Sequence, residues 1–179
     1  MHFALLTVQG ANRPGIVAEI SRLLHTHRIN ISDSSMTSLR SEFVMMLLLE
    51  FPIGLAPDLM QQEFAALEAH NLRLHLQPVP ASEAAAPARP LQPTHAISVL
   101  GPDQTGIVYR VSSVLAAYNV NILDVDTQLL DRQDQPLYAM ILEIDASGTD
   151  LNVLERSLTE VAQSLGVDLN LHPVAYAEI

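Results

Sequence analysis

Two segments of the chain repeat one another without a gap: GANRPGIVAEISRLLHTHRINISD at residues 10–33 and GPDQTGIVYRVSSVLAAYNVNILD at residues 101–124. The offset is 91 residues, and nine of the 24 aligned positions are identical. The identical residues of the first segment are Gly10, Gly15, Ile16, Val17, Ser21, Leu24, Asn30, Ile31 and Asp33. Coincidental helix patterning does not place both glycines and the asparagine in register, so the repeat indicates a duplicated structural unit.

A proline-rich stretch separates the two copies. Residues 78–93 contain five prolines among sixteen residues and almost no bulky apolar side chain, so they cannot form a core. The sequence therefore predicts a first domain at residues 1–79, a semi-extended linker at 80–93 and a second domain at 94–179.

Both copies alternate short apolar strands with amphipathic helices. Strands are predicted at residues 3–8, from Asn30, 43–51 and 72–79, and again at 95–100, from Asn121, 137–145 and 167–174. Helices are predicted at residues 15–27, 57–71, from Ile107 and 150–165. The order βαββαβ, found twice, predicts an α+β fold of two tandem ferredoxin-like domains. Each domain is a four-stranded antiparallel sheet with two helices on one face.

The strand at residues 43–49 is apolar on both faces. A strand with one face in water alternates apolar and polar residues, and this one does not. We therefore expect the helix-free face of the first sheet to be covered, either by the second half or by another chain.

The chain is acidic and contains neither lysine nor cysteine. Nine arginines against 20 acidic residues give a formal net charge of −11. Residues 94–179 carry −9 of it, from three arginines and twelve acids. This charge repels a polyanion and argues against direct nucleic-acid binding. The lack of cysteine excludes a disulfide scaffold, a thiolate metal site and a cysteine nucleophile.

Motifs for catalysis or metal binding are missing from the sequence. It has no GxSxG, P-loop, GxGxxG or HExxH, and its seven histidines are scattered over both halves. We therefore predict no enzyme activity, no catalytic residue, no cofactor and no metal. The apolar run at residues 43–49 is far shorter than the ~20 residues of a membrane span. The first residues also lack the basic region of a signal peptide, so we expect a cytoplasmic protein without membrane contact.

A polar turn leads through glycine into a helix in both copies, and an asparagine opens the strand that follows. Free N–H groups at a helix start attract a carboxylate, and glycine lets a ligand approach the backbone. The asparagine offers amide donors and an acceptor, so together these groups suit a free amino acid. The candidate ligand-binding residues are Asn12, Arg13, Gly15, Ile16, Val17, Asn30, Asp103, Gly106, Ile107 and Asn121. A purely structural interpretation, with a tight turn and a loop-capping asparagine, explains the same residues equally well.

The segment Asn12-Arg13-Pro14-Gly15-Ile16, followed by a helix and Asn30-Ile31, resembles the ACT domain, a small regulatory module of amino-acid metabolism. The turn is similar to the serine-binding loop of phosphoglycerate dehydrogenase regulatory domains. That resemblance implies that Asn12 and Asn30 contact the effector. Gly10 stands where those domains have a histidine, and Asp103 replaces the loop asparagine in the second copy.

A free-standing pair of such domains resembles the glycine cleavage system transcriptional repressor family. The resemblance implies a regulator that senses an amino acid, with glycine or serine as the expected ligand. It also implies action through a protein partner, a separate DNA-binding activator, and a homodimer, since ACT domains often pair edge to edge. The alternative left open is an accessory regulatory subunit of an amino-acid-metabolic enzyme.

We expect the isolated protein to show no measurable binding to duplex DNA at physiological salt, because its second half carries −9 and no basic stripe. An electrophoretic mobility shift assay with promoter DNA, repeated at low and high salt, measures this directly. A tight complex that weakens steeply as salt rises would contradict the expectation, since counterion release produces that dependence.

Overall fold

The computed structural model describes residues 2–68, 71–84, 92–130 and 136–174. The chain separates into two compact units, Met1–Ala88 and Arg89–Ile179. The division falls inside the proline-rich stretch, and the domain limits at residues 79 and 94 stay predictions.

The first unit has the order βαββαβ, followed by one further helical turn. Its elements are β1 His2–Ala11, α1 Ile16–Thr26, β2 Asn30–Leu39, β3 Glu42–Phe51, a 3₁₀ turn Pro57–Met60, α2 Gln61–Glu68, β4 Leu72–Val79 and α3 Ala81–Ala84. The strands form an antiparallel sheet in the order β2-β3-β1-β4.

The second unit repeats this plan. Its elements are β5 His95–Pro102, α4 Ile107–Ala117, β6 Asn121–Leu130, β7 Leu137–Asp145, α5 Leu151–Leu165 and β8 Asp168–Pro173. The sheet order is β6-β7-β5-β8, the same as in the first unit, again antiparallel. The predicted α+β fold, two tandem ferredoxin-like units, is confirmed.

The core of each unit lies between one sheet face and its helices. In the first unit Ile16, Ile20 and Leu24, spaced four residues apart on α1, are buried in a cluster that includes Leu6 and Val8 of β1. Four-residue spacing places side chains on one side of a helix, and alternate strand residues share one side of a sheet. The second unit buries its equivalent residues, Ile107, Val111 and Leu115 on α4 with Ile97 and Val99 on β5.

The duplication extends to details of the backbone. A β-bulge lies between Ile31 and Asp33 in β2, and another lies at the matching place, between Ile122 and Asp124, in β6. Gly10 and Gly101 also match. A Cβ at Gly10 would lie 2.8 Å from the carbonyl oxygen of Asn71, and one at Gly101 would lie 2.6 Å from a side-chain carbon of Val167.

Two predicted elements differ from the structure. The helix expected over residues 57–71 begins as a 3₁₀ turn at Pro57–Met60 and continues as α2, Gln61–Glu68, while residues 69–70 lie outside the described residues. The linker was expected to be semi-extended, but Ala81–Ala84 forms the short helix α3. The carbonyl of Pro80 accepts the N–H groups of Glu83 and Ala84, because alanine and glutamate favour a helical turn there. The next part of the linker, residues 85–91, lies outside the described residues.

The helix-free face of the first sheet was expected to be covered. Val44 and Leu48 on that face are half-buried, but Met46 between them is 46% exposed. Cover of this face by the second half or by another chain stays a prediction. Met45, on the opposite face, is only 4% exposed.

Met45→Asp is expected to lower the free energy of unfolding by about 3 kcal/mol or more, because it buries an unpaired charge. Met46→Asp is expected to change it by about 0.5 kcal/mol or less, as an open surface position. Urea denaturation of both variants tests the difference. A large loss for Met46→Asp that grows with protein concentration would show that another chain covers this face.

Candidate functional site

Each unit starts its first helix at a glycine with a left-handed backbone. Gly15 has φ 89° and Gly106 has φ 98°, a region that side chains bearing a Cβ rarely adopt. A Cβ built at either glycine meets nothing within 4 Å. The backbone conformation therefore requires these glycines, and the space above them is open.

The two glycines leave the helix starts without a side-chain cap. Neither α1 nor α4 has a capping side-chain hydrogen bond among the described residues, since the N-cap residue is glycine itself. The first N–H groups of a helix have no partner within the helix and carry its positive dipole end. In α1 the side chain of Ile16 is buried, while Val17 is 49% exposed. An anion at this helix start would meet the positive end of the dipole.

The side chains of Arg13 and of Gln104, its counterpart in the second unit, already have partners within their own units. The Arg13 guanidinium forms an ion pair with Glu19 at 2.6 Å, across the first turn of α1. Gln104, at the matching position, donates from Nε2 to the carbonyl of Leu165 at 2.6 Å, at the end of α5. A ligand that used Arg13 would therefore compete with Glu19.

Asn12 is held by the hairpin between β2 and β3. Its backbone N–H donates to the carbonyl of Ser41 at 2.7 Å, and its Nδ2 donates to Ser38 Oγ at 3.3 Å. These contacts place Asn12 beside the end of β2. Asp103, at the matching position of the second unit, is exposed.

Asn30 lies at the opposite end of the same sheet. It begins β2 opposite Glu50, and its Nδ2 donates to Glu50 Oε2 at 3.4 Å. Glu42, next to the hairpin that holds Asn12, is eight residues from Glu50 along β3. At ~3.3 Å per residue, Asn12 and Asn30 are therefore about 26 Å apart.

The expectation that Asn12 and Asn30 hold one amino acid within a single copy is therefore wrong. β1 and β2 run in the same direction, and α1 connects them. The loop that follows β1 therefore lies at one end of the sheet, and the start of β2 lies at the other end. The same holds for Asp103 and Asn121, because Asn121 opens β6 opposite Asp145. Whether each residue binds a ligand at all stays a prediction.

Asn121 faces a carboxylate that stays ionised. The side chain and the backbone N–H of Ser147 hydrogen-bond to Asp145 and hold the pKa of that carboxyl below its usual value. The backbone bond, from Ser147 N–H to Asp145 Oδ1, measures 2.9 Å. An asparagine opposite a carboxylate thus occurs in both units, at the end of the sheet remote from the glycine turns.

An apolar groove beside α1 was missed by the sequence analysis. It has a volume of about 170 Å³ and is lined by Val17, Ile20, Ser21, Ile31, Ser34, Ser35, Met36, Met45 and Leu47. Val17, Ile31 and Met36 are exposed there. One residue in the sequence could have indicated this groove. Val17 is apolar, but it does not lie on the buried side of α1 that contains Ile16 and Ile20.

The described residues show no metal site and no membrane-spanning helix. No three histidine, aspartate or glutamate side chains in the described ranges could hold a metal ion. No helix in that part of the chain is long and apolar enough to cross a membrane, and α5 has only 15 residues.

The protein is a duplicated α+β module. It consists of two ferredoxin-like units in tandem, and the first helix of each unit begins at a glycine. The ACT domain family matches this chain twice, over residues 2–77 and 95–172. The chain therefore belongs to the ACT domain family.

Individual relatives extend this result. A UPF0237 protein of Pyrobaculum aerophilum is 41% identical over 73 residues, which are 40% of this chain and 77% of that protein. The glycine cleavage system transcriptional repressor of Escherichia coli is 23% identical over 180 residues, covering 99% of this chain and 93% of the repressor. The crystal structure of an unknown protein from Galdieria sulphuraria superimposes with a TM-score of 0.73 at 24% identity. The match covers 97% of this chain and 99% of that one, and it supports the fold.

Gly15→Ala and Gly106→Ala are each expected to lower the free energy of unfolding by about 1–2 kcal/mol, because alanine is strained at positive φ. Gly15→Asn is the matched control, since asparagine tolerates this region, and it should lose less. Urea denaturation midpoints of the three variants provide the measurement. Equal losses for Gly15→Ala and Gly15→Asn would mean that φ is not the reason for glycine.

Proposed function

We propose that this protein is an amino-acid-sensing regulator, a transcriptional co-regulator that acts in the cytoplasm through a protein partner and neither binds DNA nor catalyses a reaction. The observation that carries the proposal is the alignment with the E. coli glycine cleavage system repressor over 99% of this chain. The two ACT domain matches, residues 2–77 and 95–172, account for nearly all of the matched length.

The uncapped helix starts are the proposed carboxylate sites. In the first unit the N–H groups at Ile16 and Val17 carry the positive end of α1, and Gly15 leaves the approach open. Pro14 has no N–H to offer, so the contacts begin after it. Glycine and serine are the proposed ligands, as the similarity to the glycine cleavage system repressor and to the serine-binding loop implies.

Because Asn12 and Asn30 lie at opposite ends of one sheet, the complete site is proposed to need a second copy of the chain. All ten residues of the edge strand β2 are exposed. An antiparallel pairing of β2 with β2 of a second copy brings the start of one strand to the end of the other. Asn30 of one copy then lies near Asn12 of the other, so dimerisation through this edge would assemble the site.

The two units are proposed to bind with unequal affinity. Asp103 stands where Asn12 stands in the first copy, and its carboxylate repels that of the ligand while it attracts the ammonium. The first unit is therefore the tighter site. Ligand binding between copies would favour one arrangement of the domains, and a protein partner would respond to that arrangement.

The partner is proposed to be a DNA-binding activator protein. A chain of net charge −11 does not approach DNA readily, so a regulator of transcription with this charge requires another protein for DNA contact. The acidic second half is the half better suited to a basic partner surface.

Asn30→Ala is expected to weaken glycine or serine binding by roughly 10- to 150-fold, since a hydrogen bond to a charged group contributes about 1.5–3 kcal/mol. Asn121→Ala is the matched variant in the second unit. It should change the dissociation constant of the tighter site, in the first unit, only a little. Isothermal titration calorimetry with glycine, serine and the branched-chain amino acids makes the comparison, and sedimentation shows whether ligand promotes the dimer. Lack of binding by any amino acid at millimolar concentration would refute the sensor.

A further inference from the structure

A polar cavity of about 400 Å³ opens on the first unit, at the end of the sheet where β1 leads into the glycine turn. It is lined by Gln9, Gly10, Ala11, Glu42, Asn71 and Arg73. Gln9 and Ala11 alternate along β1 with the buried residues Val8 and Gly10. The side chains of the cavity therefore lie on the helix-free face of the sheet, at its end.

The strand register places a cation and an anion on either side of the cavity floor. Arg73 on β4 is directly opposite Gln9, and Glu42 on β3 is directly opposite Ala11. Because β1 lies between β3 and β4, the two charged residues are two strand spacings apart and displaced by two residues. Their Cα atoms are therefore about 12 Å apart, with the small side chain of Ala11 between them.

The two charges do not form a pair with each other. The ion pairs found among the described residues are Arg13 with Glu19 and His27 with Glu63. Arg73 and Glu42 border one cavity from opposite sides and remain separated. Arginine donates two parallel hydrogen bonds to a carboxylate, and glutamate accepts from an ammonium group.

The second unit supplies an internal comparison, because its sheet has the same order and equivalent pairings. Leu100 corresponds to Gln9, Leu137 to Glu42 and Asp168 to Arg73. In the second copy, leucines thus replace the amide and the acid of the first copy, and an acid replaces its arginine. The shared fold does not require the charge arrangement, since one of its two copies lacks it.

We propose that this cavity binds an α-amino acid as a zwitterion, with its carboxylate on Arg73, its ammonium on Glu42 and the Gln9 amide as a further partner. The inference rests on the proposed amino-acid sensing and adds a second site to the one proposed at the helix start. The cavity volume admits a side chain, so the site accepts amino acids larger than glycine. Both charged groups are exposed, and the expected dissociation constant is on the order of 1 mM.

The test is a titration of the full chain with glycine and L-serine, followed by amide shifts in ¹H–¹⁵N correlation spectra. We expect one set of shifts to centre on Gln9, Ala11, Glu42 and Arg73, apart from the shifts at the helix start. Arg73→Gln and Glu42→Gln should each weaken binding at the cavity about tenfold or more, while Arg22→Gln, which removes an exposed arginine of α1, should not. Acetate and glycinamide each lack one of the two charges, and neither should produce the shifts.

Three other outcomes would contradict the proposed site, the zwitterion or the sensor. If the only shifts centre on Gly15, Ile16 and Val17 and persist in Arg73→Gln, this site is refuted and the proposed function stands. Shifts with acetate equal to those with glycine would show an anion site and refute the zwitterion. If no amino acid up to about 20 mM shifts any amide, both the site and the sensor fail.

Discussion

The burial of one apolar face of each sheet under its helices is the constraint on which the rest of the structure depends. In the first unit Ile16, Ile20 and Leu24 of α1 close over Leu6 and Val8 of β1. With α1 fixed on that face, β1 and β2 must run in the same direction, and the glycine turn and Asn30 must lie at opposite ends. The helix-free face remains outside this core.

The two copies share what the backbone requires and differ in what the surface carries. The left-handed glycines, the close contacts at Gly10 and Gly101 and the bulges in β2 and β6 are common to both. Charges at matching positions differ, as with Arg73 in one copy and Asp168 in the other. Strain and close contacts act on any sequence with this fold, whereas an exposed side chain is free to change after duplication.

These differences matter for a regulator made of two related domains. Equivalent backbones give both units an uncapped helix start, so each has the same attraction for an anion. The exposed side chains around those starts, Arg13 against Gln104 and Asn12 against Asp103, make the units chemically unequal. The two units therefore differ in their exposed chemistry even though their folds are alike.

The sequence by itself determined the duplication, the order of strands and helices along the chain and the glycine-led turn before the first helix of each copy, whereas the positive φ that requires glycine at residues 15 and 106 came from the structure. The properties determined by the sequence depend on local spacing, which the sequence records directly. The tertiary structure decided which of the polar residues lie near one another. It separated Asn12 from Asn30, paired Arg13 with Glu19 and brought Arg73 and Glu42 to one cavity. Strand pairing joins residues that are distant along the chain, and no local pattern of residues contains that information.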